Sequence, residues 1–232
     1  NLHCKFCQNW DISQRNPEET RNFDLPPSQV VKETKKARCL SIAYTYSEPI
    51  IFYEYTYDTS VLAHEEGLRN ILVTAGFINE KPLRKLCKVA DGANVDLKGF
   101  TEEYYRDVCY GDLKTILRTL VVMLEEGVFI EITNLIVPTL NDDMAKIKEM
   151  CQWIHKELGD EIPLHFSRFH PMYQLRNLYP TPGETLDRAA GIARDVGLKY
   201  VYIGNIPGRD EDTICPGCGE RIITRIGYSV TS

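Results

Sequence analysis

The feature that most constrains the fold is an alternation of short apolar runs with longer amphipathic segments, repeated about every 30 residues. The apolar runs predict strands at residues 39–44, 70–74, 93–97, 128–137, 163–169 and 199–203. The amphipathic segments predict helices at residues 29–38, 49–66, 79–90, 112–126, 141–158 and 184–196. This order predicts parallel βαβ units with right-handed crossovers. Such units fit an open doubly wound sheet or a partial barrel, and both place functional residues just after the strands.

Composition narrows the class of protein. The chain has 232 residues, 43% of them hydrophobic, so we expect one compact domain with a large core. Its formal net charge of -6 gives no general attraction to nucleic acid or to an anionic membrane, and we expect neither as a partner. No apolar run approaches the roughly 20 residues that span a bilayer. The eight cysteines are not spaced like a disulfide scaffold, which favours a cytoplasmic protein with buried thiols at Cys39, Cys87, Cys109 and Cys151.

A cysteine pair stands near the start of the chain. Cys4 and Cys7 are separated by two residues, and the aromatic Phe6 comes directly before the second cysteine. Such pairs occur in zinc half-sites, in thioredoxin-type redox pairs and in iron–sulfur ligand sets. Closely spaced thiolates on one loop can hold several irons of one cluster, and an iron without a protein ligand is open to a substrate or cofactor. The alternatives are a zinc knuckle or two inert buried thiols.

Polar side chains stand at or just after the ends of the first three predicted strands. Glu48 follows the first strand, Thr74 ends the second, and Asp96 and Lys98 stand at the end of the third. Because side chains alternate along a strand, Asp96 and Lys98 share one face, where opposite charges can hold a zwitterion. Structural interpretations stay open: Glu48 can stabilise a helix N-terminus, Thr74 can belong to a turn, and the third strand can end in a salt bridge.

A second cysteine pair lies near the end of the chain, in Cys215-Pro216-Gly217-Cys218-Gly219. This sequence is typical of a metal knuckle, a turn that directs two thiolates at one metal. Zinc needs four ligands, so His165, Cys151, another subunit or the pair Cys4 and Cys7 would have to supply the others. The last arrangement gives an alternative function for the chain, a non-catalytic zinc-binding α/β module with a four-cysteine structural site.

The first ten residues resemble the end of the radical S-adenosylmethionine (SAM) signature, C-x-x-x-C-x-aromatic-C. Cys4 and Cys7 match its second and third cysteines, and Phe6 matches the aromatic residue. The first cysteine of the signature would lie immediately upstream of Asn1, so the chain as given contains two of the three expected cluster ligands.

Other elements extend this resemblance over nearly the whole chain. Residues 44–49 (YTYSEP) and 96–98 (DLK) are similar to elements of the pyruvate formate-lyase activating enzymes. The Cys-Pro-x-Cys-Gly tail, followed by Gly227 and Tyr228, resembles the radical SAM protein of the AmmeMemoRadiSam system. The resemblance implies an α/β fold, a partial (β/α)6 barrel of the radical SAM type whose first strand lies upstream of Asn1. It also implies a radical SAM core at residues 1–208 and a C-terminal tail at residues 209–232.

The resemblance further implies two cofactors, a [4Fe-4S] cluster and SAM. Cys4, Cys7 and the upstream cysteine would hold three irons, and SAM would bind the fourth. The side chains implied to contact the cofactors are Phe6, Glu48, Thr74, Asp96, Lys98, Val137 and His170. In this set the SAM amino group would meet Glu48, its carboxylate would meet Lys98, and its adenine would lie near Val137. Cys215 and Cys218 are candidate ligands for zinc.

The implied activity is that of a radical SAM oxidoreductase. Reductive cleavage of SAM at the cluster would give methionine and a 5′-deoxyadenosyl radical, which abstracts hydrogen from a substrate. The resemblance to activating enzymes implies as substrate a glycine in a partner protein or another macromolecular target. It also implies an electron donor such as flavodoxin or ferredoxin. Which residues act on the substrate is not indicated by the sequence.

Overall fold

The computed structural model describes residues 1–206, 208, 212–226 and 229–231. Six parallel strands form one sheet, and their order in the sheet is their order in the chain. They are β1 (Ser41–Tyr44), β2 (Arg69–Thr74), β3 (Gly92–Asp96), β4 (Phe129–Ile136), β5 (Leu164–Arg168) and β6 (Val201–Gly204). A doubly wound sheet reverses its strand order part-way, so this order agrees with the barrel-type interpretation. The strand expected upstream of Asn1 lies outside the chain and stays a prediction.

Eight α-helices accompany the strands in the described residues. They are α1 (Trp10–Ser13), α2 (Pro27–Lys36), α3 (Tyr53–Glu65), α4 (Glu80–Cys87), α5 (Glu102–Tyr104), α6 (Leu113–Glu125), α7 (Met144–Glu157) and α8 (Gly183–Val196). All of the predicted helices and strands are confirmed, with shifted ends. Two short helices, α1 and α5, were not predicted, nor was a π-helical turn at Tyr105–Cys109. No helix of the described residues is long and apolar enough to cross a membrane.

The two faces of the sheet differ in burial. Along β4, Ile130, Ile132 and Ile136 are buried in the core beside the helices. Glu131 and Thr133 alternate with them and are half-buried on the opposite face, which we call the open face. The strands are therefore covered by helices on one side, while their polar residues line a space on the other.

Helix caps explain how two helices begin. Asp112 Oδ1 accepts a 2.8 Å hydrogen bond from the Thr115 N–H and caps α6, at the start of the helix predicted over residues 112–126. The helix predicted from residue 141 begins slightly later, at Met144, because Asp143 is its cap and accepts a 2.8 Å bond from the Ala145 N–H. Asn141 instead accepts a bond from the Val137 N–H at 2.6 Å and joins the loops that follow β3 and β4.

Beyond the main sheet, three short antiparallel strands form what we call the C-terminal ribbon. They are β7 (Thr213–Ile214), β8 (Arg221–Ile226) and β9 (Ser229–Thr231), and none was predicted. The hydroxyls of Tyr202 on β6 and Thr213 lie 3.0 Å apart and link the ribbon to the main sheet. The predicted Gly227-Tyr228 ending lies outside the described residues, and the division of the chain at residue 208 stays a prediction.

Candidate functional site

The loop that contains Cys4 and Cys7, which we call the cysteine loop, is fixed by backbone hydrogen bonds. The N–H of His3 donates to the carbonyl of Cys109, and the N–H of Lys5 donates to that of Val108, both at 3.0 Å. A 3.1 Å bond from the Cys7 N–H to the Cys4 carbonyl closes the turn between the two cysteines. The cysteine loop is therefore seated on the π-helical turn and holds both thiols in one place.

Two adjoining cavities lie beside this loop, of about 160 and 250 Å³. Both are lined by Cys4, Cys7, Asn9, Ser47, Asp96 and Lys98. The smaller cavity is also lined by Glu48 and Thr74, and the larger by Phe6. Seven of the predicted site residues thus line these two cavities, which have six lining residues in common. We call these adjoining cavities the site cavity.

The loop after β1 places a carboxylate in the site cavity. Glu48 is 8% exposed, and its Oε2 accepts a 2.8 Å bond from the Ala75 N–H. Tyr46 and Ser47, just before it, have φ angles of 57° and 81°, in the left-handed region that non-glycine residues rarely occupy. Consecutive strained residues are typical of functional loops. Here they bend the chain so that Glu48 turns toward β2.

An opposite-charge pair stands at the end of β3. Lys98 Nζ lies 2.8 Å from Asp96 Oδ2, which confirms that the two side chains share a face. Burial would lower the pKa of Lys98, but the negative charge of Asp96, followed by that of Cys4, outweighs burial and raises it. Lys98 Nζ also lies 5.8 Å from the centre of the Phe6 ring. The lysine is therefore a fixed cation in the site cavity.

The thiol of Cys4 is adapted to carry negative charge. A hydrogen bond from the Cys109 thiol lowers the pKa of Cys4, burial opposes this effect, and the charge of Lys98 supports it. The same contact with Cys4, together with burial, raises the pKa of Cys109. Since the thiolate is the metal-binding form of cysteine, Cys4 has the chemistry of a ligand. Cys7 Sγ lies 3.0 Å from Ser13 Oγ.

Two predicted cofactor contacts are set apart from the others. Val137 is fully buried just after β4, and His170 is exposed in the loop after β5. Neither belongs to the described residues that line the site cavity. The loop after β5 does reach the cysteine loop, since Gln174 donates a 3.1 Å backbone bond to Lys5 and Tyr173 stacks on Trp10. The roles of Val137 and His170 stay predictions.

The second cysteine pair occupies the turn between β7 and β8. Backbone N–H groups of Cys218 and Gly217 lower the pKa of Cys215, as expected of a knuckle. Within the described part of the chain, however, no three Cys, His, Asp or Glu side chains are grouped to hold a metal ion. Cys4 and Cys7 therefore do not join Cys215 and Cys218, so the four-cysteine zinc site is not formed.

The other suggested zinc ligands are also engaged elsewhere. His165 Nε2 lies 3.0 Å from Glu131 Oε2, and the imidazole stacks on Tyr202. Cys151 is fully buried in α7, and burial raises its pKa to about 12. Neither side chain completes a site with the knuckle.

Sequence reasoning missed several residues around the site cavity. Thr133 and Ser167 line it from β4 and β5, and the alternation of those strands could have indicated them. Asn205 also lines it and donates a 2.9 Å bond to Ser167 Oγ. Cys109 had no local signal, because its contact with Cys4 joins parts of the chain that are distant in sequence.

Comparisons with known proteins agree with this arrangement. The chain is 44% identical over 226 residues to the uncharacterized protein MJ0808 of Methanocaldococcus jannaschii, covering 97% of this chain and 67% of that protein. It is 21% identical to the pyruvate formate-lyase 1-activating enzyme of Escherichia coli K12, covering 87% of each chain.

A solved structure shares the fold. Streptococcus suis SuiB bound to S-adenosylmethionine superposes with a TM-score of 0.69 at 12% identity. The match covers 88% of this chain and 47% of SuiB, so the chain spans about half of that protein. These comparisons do not test the resemblance to the AmmeMemoRadiSam system, which stays a prediction. The model of the radical SAM superfamily matches residues 1–154, which is more than half of the chain, and this protein therefore belongs to the radical SAM superfamily.

Proposed function

We propose that this radical SAM enzyme holds a [4Fe-4S] cluster through Cys4, Cys7 and a cysteine upstream of Asn1. Membership of the family implies the cluster and SAM as cofactors. The observation that carries the assignment is the site cavity, which joins both thiols to Glu48 and the Asp96–Lys98 pair. The zinc-module alternative is not favoured.

The residues present fit both groups. Cys4 and Cys7 offer two thiols on one loop, and the pKa of Cys4 is lowered toward the metal-binding thiolate form. The buried Glu48 carboxylate and the Lys98 ammonium offer opposite charges in the same space, which suits the amino acid end of SAM. The two thiols thus support a cluster, and the two opposite charges support SAM, as the cofactors of this site.

Held by Cys4, Cys7 and the upstream cysteine, a bound cluster would supply the electron for the reductive cleavage of SAM and the hydrogen abstraction that the proposed activity requires. The residues of this chain would bind SAM, orient it and shield it from water. Glu48 would accept hydrogen bonds from the ammonium of SAM, and Lys98 would donate to its carboxylate. SAM would also be packed and oriented by Phe6, Thr74 and Asp96. Further contacts to SAM would come from Val137 and His170, in the loops after β4 and β5.

The substrate of the proposed reaction is a glycine of a partner protein, as for a glycyl-radical activating enzyme, and the electron donor is a flavodoxin or ferredoxin. The 21% identity to an activating enzyme over 87% of both chains supports this finer assignment. The similarity of the tail to the AmmeMemoRadiSam proteins supports membership of that group.

The test is anaerobic reconstitution of the full-length protein with iron and sulfide, followed by reductant and SAM. We expect cluster absorbance and 5′-deoxyadenosine, both abolished by Cys4→Ala or Cys7→Ala. Cys39→Ala is the matched control. The prediction of a buried thiol at Cys39 is wrong, because Cys39 is exposed just before β1, and it lies outside the described lining of the site cavity. Zinc in place of iron, or product that persists in both cysteine variants, would overturn the proposal.

A further inference from the structure

The backbone of Lys98 is held in place by two buried side chains. The peptide group between Leu97 and Lys98 is bonded at both of its polar ends. Its carbonyl accepts a 2.7 Å hydrogen bond from Asn134 Nδ2, and its N–H donates a 3.0 Å bond to the Tyr105 hydroxyl. Asn134 is 2% exposed and Tyr105 is fully buried. The peptide group cannot turn without breaking one of these bonds, so it fixes the direction in which the flexible side chain of Lys98 leaves the backbone.

Asn134 is the one polar residue in an otherwise apolar row of β4. The other buried residues of that row are Ile130, Ile132 and Ile136. The Oδ1 atom of Asn134 has no hydrogen-bond partner in the described part of the chain, and an unpaired buried acceptor reduces stability. The amide nitrogen bonds the Leu97 carbonyl just after the end of β3, where the pairing of β3 with β4 stops. A fourth isoleucine would suit the row better, so the peptide that Asn134 holds explains its position.

Tyr105 is the first residue of the π-helical turn, which also seats the cysteine loop. Such turns are rare and occur frequently at functional sites. The residues on either side of Cys4 donate their N–H groups to the last two carbonyls of the turn, both at 3.0 Å. Gly99 lets the loop of Lys98 lie close to the start of the turn, because a Cβ there would stand 2.5 Å from Tyr104 Cδ1. One element therefore supports both the cysteine loop and the loop of Lys98.

We propose that Tyr105 and Asn134 are positioning residues that hold Lys98 in the orientation in which its ammonium meets the carboxylate of SAM. Neither residue is among the described residues that line the site cavity, so both act through the peptide before Lys98. A lysine that is already oriented loses less freedom on binding, so the two hydrogen bonds increase the affinity for SAM. This inference rests on the proposed function, which places the SAM carboxylate at Lys98.

The rival explanation is that Tyr105 and Asn134 only stabilise the fold around the site cavity. A general defect of the fold weakens the binding of every ligand of the site. A misplaced Lys98 instead weakens only the binding of ligands that carry the carboxylate. Decarboxylated SAM lacks this carboxylate and keeps the amino group, the sulfonium and the adenosine. The ratio of the two dissociation constants, for SAM and for decarboxylated SAM, therefore separates the explanations.

Two neighbouring tyrosines provide a variant and its matched control. Tyr105→Phe removes the hydroxyl that accepts the Lys98 N–H and keeps the buried ring. Tyr104→Phe is the control, because Tyr104 is 4% exposed and its hydroxyl has no hydrogen-bond partner in the residues that the structure describes. Asn134→Leu removes the donor at the other end of the peptide and suits the apolar row of β4. Lys98→Met gives the reference for complete loss of the carboxylate contact.

The experiment is equilibrium dialysis of the reconstituted full-length protein with SAM and, separately, with decarboxylated SAM. Iron and sulfide content is measured for each variant. We expect Tyr105→Phe and Asn134→Leu to bind SAM about three- to tenfold more weakly, the effect of one hydrogen bond, with less than about a twofold change for decarboxylated SAM. We expect Tyr104→Phe to bind both ligands like the unmodified protein. If Tyr105→Phe does not retain a cluster, Asn134→Leu gives the comparison.

Two results would overturn the inference. One is an unchanged affinity for SAM in both variants, and the other is an equal loss for SAM and decarboxylated SAM, which indicates a general defect. Equal affinity of the unmodified protein for the two ligands, or an unchanged affinity for SAM in Lys98→Met, would instead reject the contact that the proposed function places at Lys98. The failure of the inference and the failure of the proposed function are therefore distinguishable.

Discussion

The hydroxyl of Thr74 donates a 2.6 Å hydrogen bond to the carboxylate of Glu48, and both groups are buried. Thr74 ends β2, and Glu48 belongs to the loop after β1, so the bond ties two neighbouring strand ends together. The same hydroxyl accepts a 2.9 Å bond from the Gly76 N–H. The carboxylate is thereby held in place before any ligand arrives, which lowers the cost of ordering it on binding.

Glu48→Gln tests the role of this carboxylate. The amide keeps the size of the side chain but loses the charge that would pair with an ammonium. We expect SAM to bind the reconstituted protein at least about tenfold more weakly, since a hydrogen bond to a charged group contributes about 1.5–3 kcal/mol. Equilibrium dialysis with labelled SAM measures the change. Glu54→Gln, at an exposed position of α3, is the control, and equal affinities in the two variants would contradict the prediction.

Gly76→Ala should disturb the turn after β2. Gly76 has a φ of 69°, and an added Cβ would stand 3.1 Å from Val95 Cγ1 and 3.2 Å from Thr119 Cγ2. We expect a loss of about 2–3 kcal/mol in the free energy of unfolding, from left-handed strain plus crowding. Gly67→Ala separates the two causes, because Gly67 has a φ of 74° but nothing within 4 Å of an added Cβ. Urea unfolding that gives equal losses for both variants would show that crowding contributes nothing.

Asn141→Asp should loosen the join between the loops after β3 and β4. The Asn141 amide donates to the carbonyls of Lys98 at 2.7 Å and Leu135 at 2.9 Å. A carboxylate cannot donate, so both carbonyls lose their partner and face a negative charge. We expect the unfolding free energy to fall by about 2 kcal/mol or more. Asp142→Asn changes charge at the next residue, and a similar loss there would show that charge alone explains the effect.

The stability of the sheet where β3 begins should depend on pH through Asp91, the residue just before that strand. Burial raises the pKa of Asp91, but hydrogen bonds from His64, the Asn70 N–H and Arg69 outweigh burial and lower it overall. A carboxyl with a lowered pKa stabilises the fold above its unfolded pKa of about 3.9, and this contribution is lost as pH falls through the folded pKa.

Asp91→Asn should therefore cost about 1 kcal/mol at neutral pH, a modest value because Asp91 is partly exposed to screening solvent. Below about pH 4 the stabilities of the variant and the unmodified protein should converge. Urea midpoints measured between about pH 7 and pH 3 test this. A difference that stays constant across this range would exclude the titration of Asp91 as the cause.

Much of the fold and of the candidate site followed from local pattern. The alternation of β4 and the acid and base at Asp96 and Lys98 depend on residues close in sequence, and the structure confirms them. Local sequence pattern could not predict the C-terminal ribbon. β8 (RIITRI) has no regular alternation, and its pairing partner, β9, has only three residues.

The contact between Cys4 and Cys109 was beyond sequence reasoning for another reason. It depends on a π-helical turn, whose extra residue per turn has no propensity signal, and on a loop that docks from the other end of the chain. The role of Asn141 was also beyond sequence reasoning. Its carboxamide could cap the nearby helix or bond three backbone groups, and in the structure it does the second. Tertiary geometry decides that competition, and sequence spacing does not reveal it.

The order of the main sheet has a consequence for how the protein is made. Within the described residues each strand of that sheet pairs only with the strands before and after it in the chain. A ribosome releases the units in that same order, so every newly emerged strand finds its docking edge already available and waits for no later partner. The chain can therefore fold as it is translated, growing from one edge of the sheet to the other.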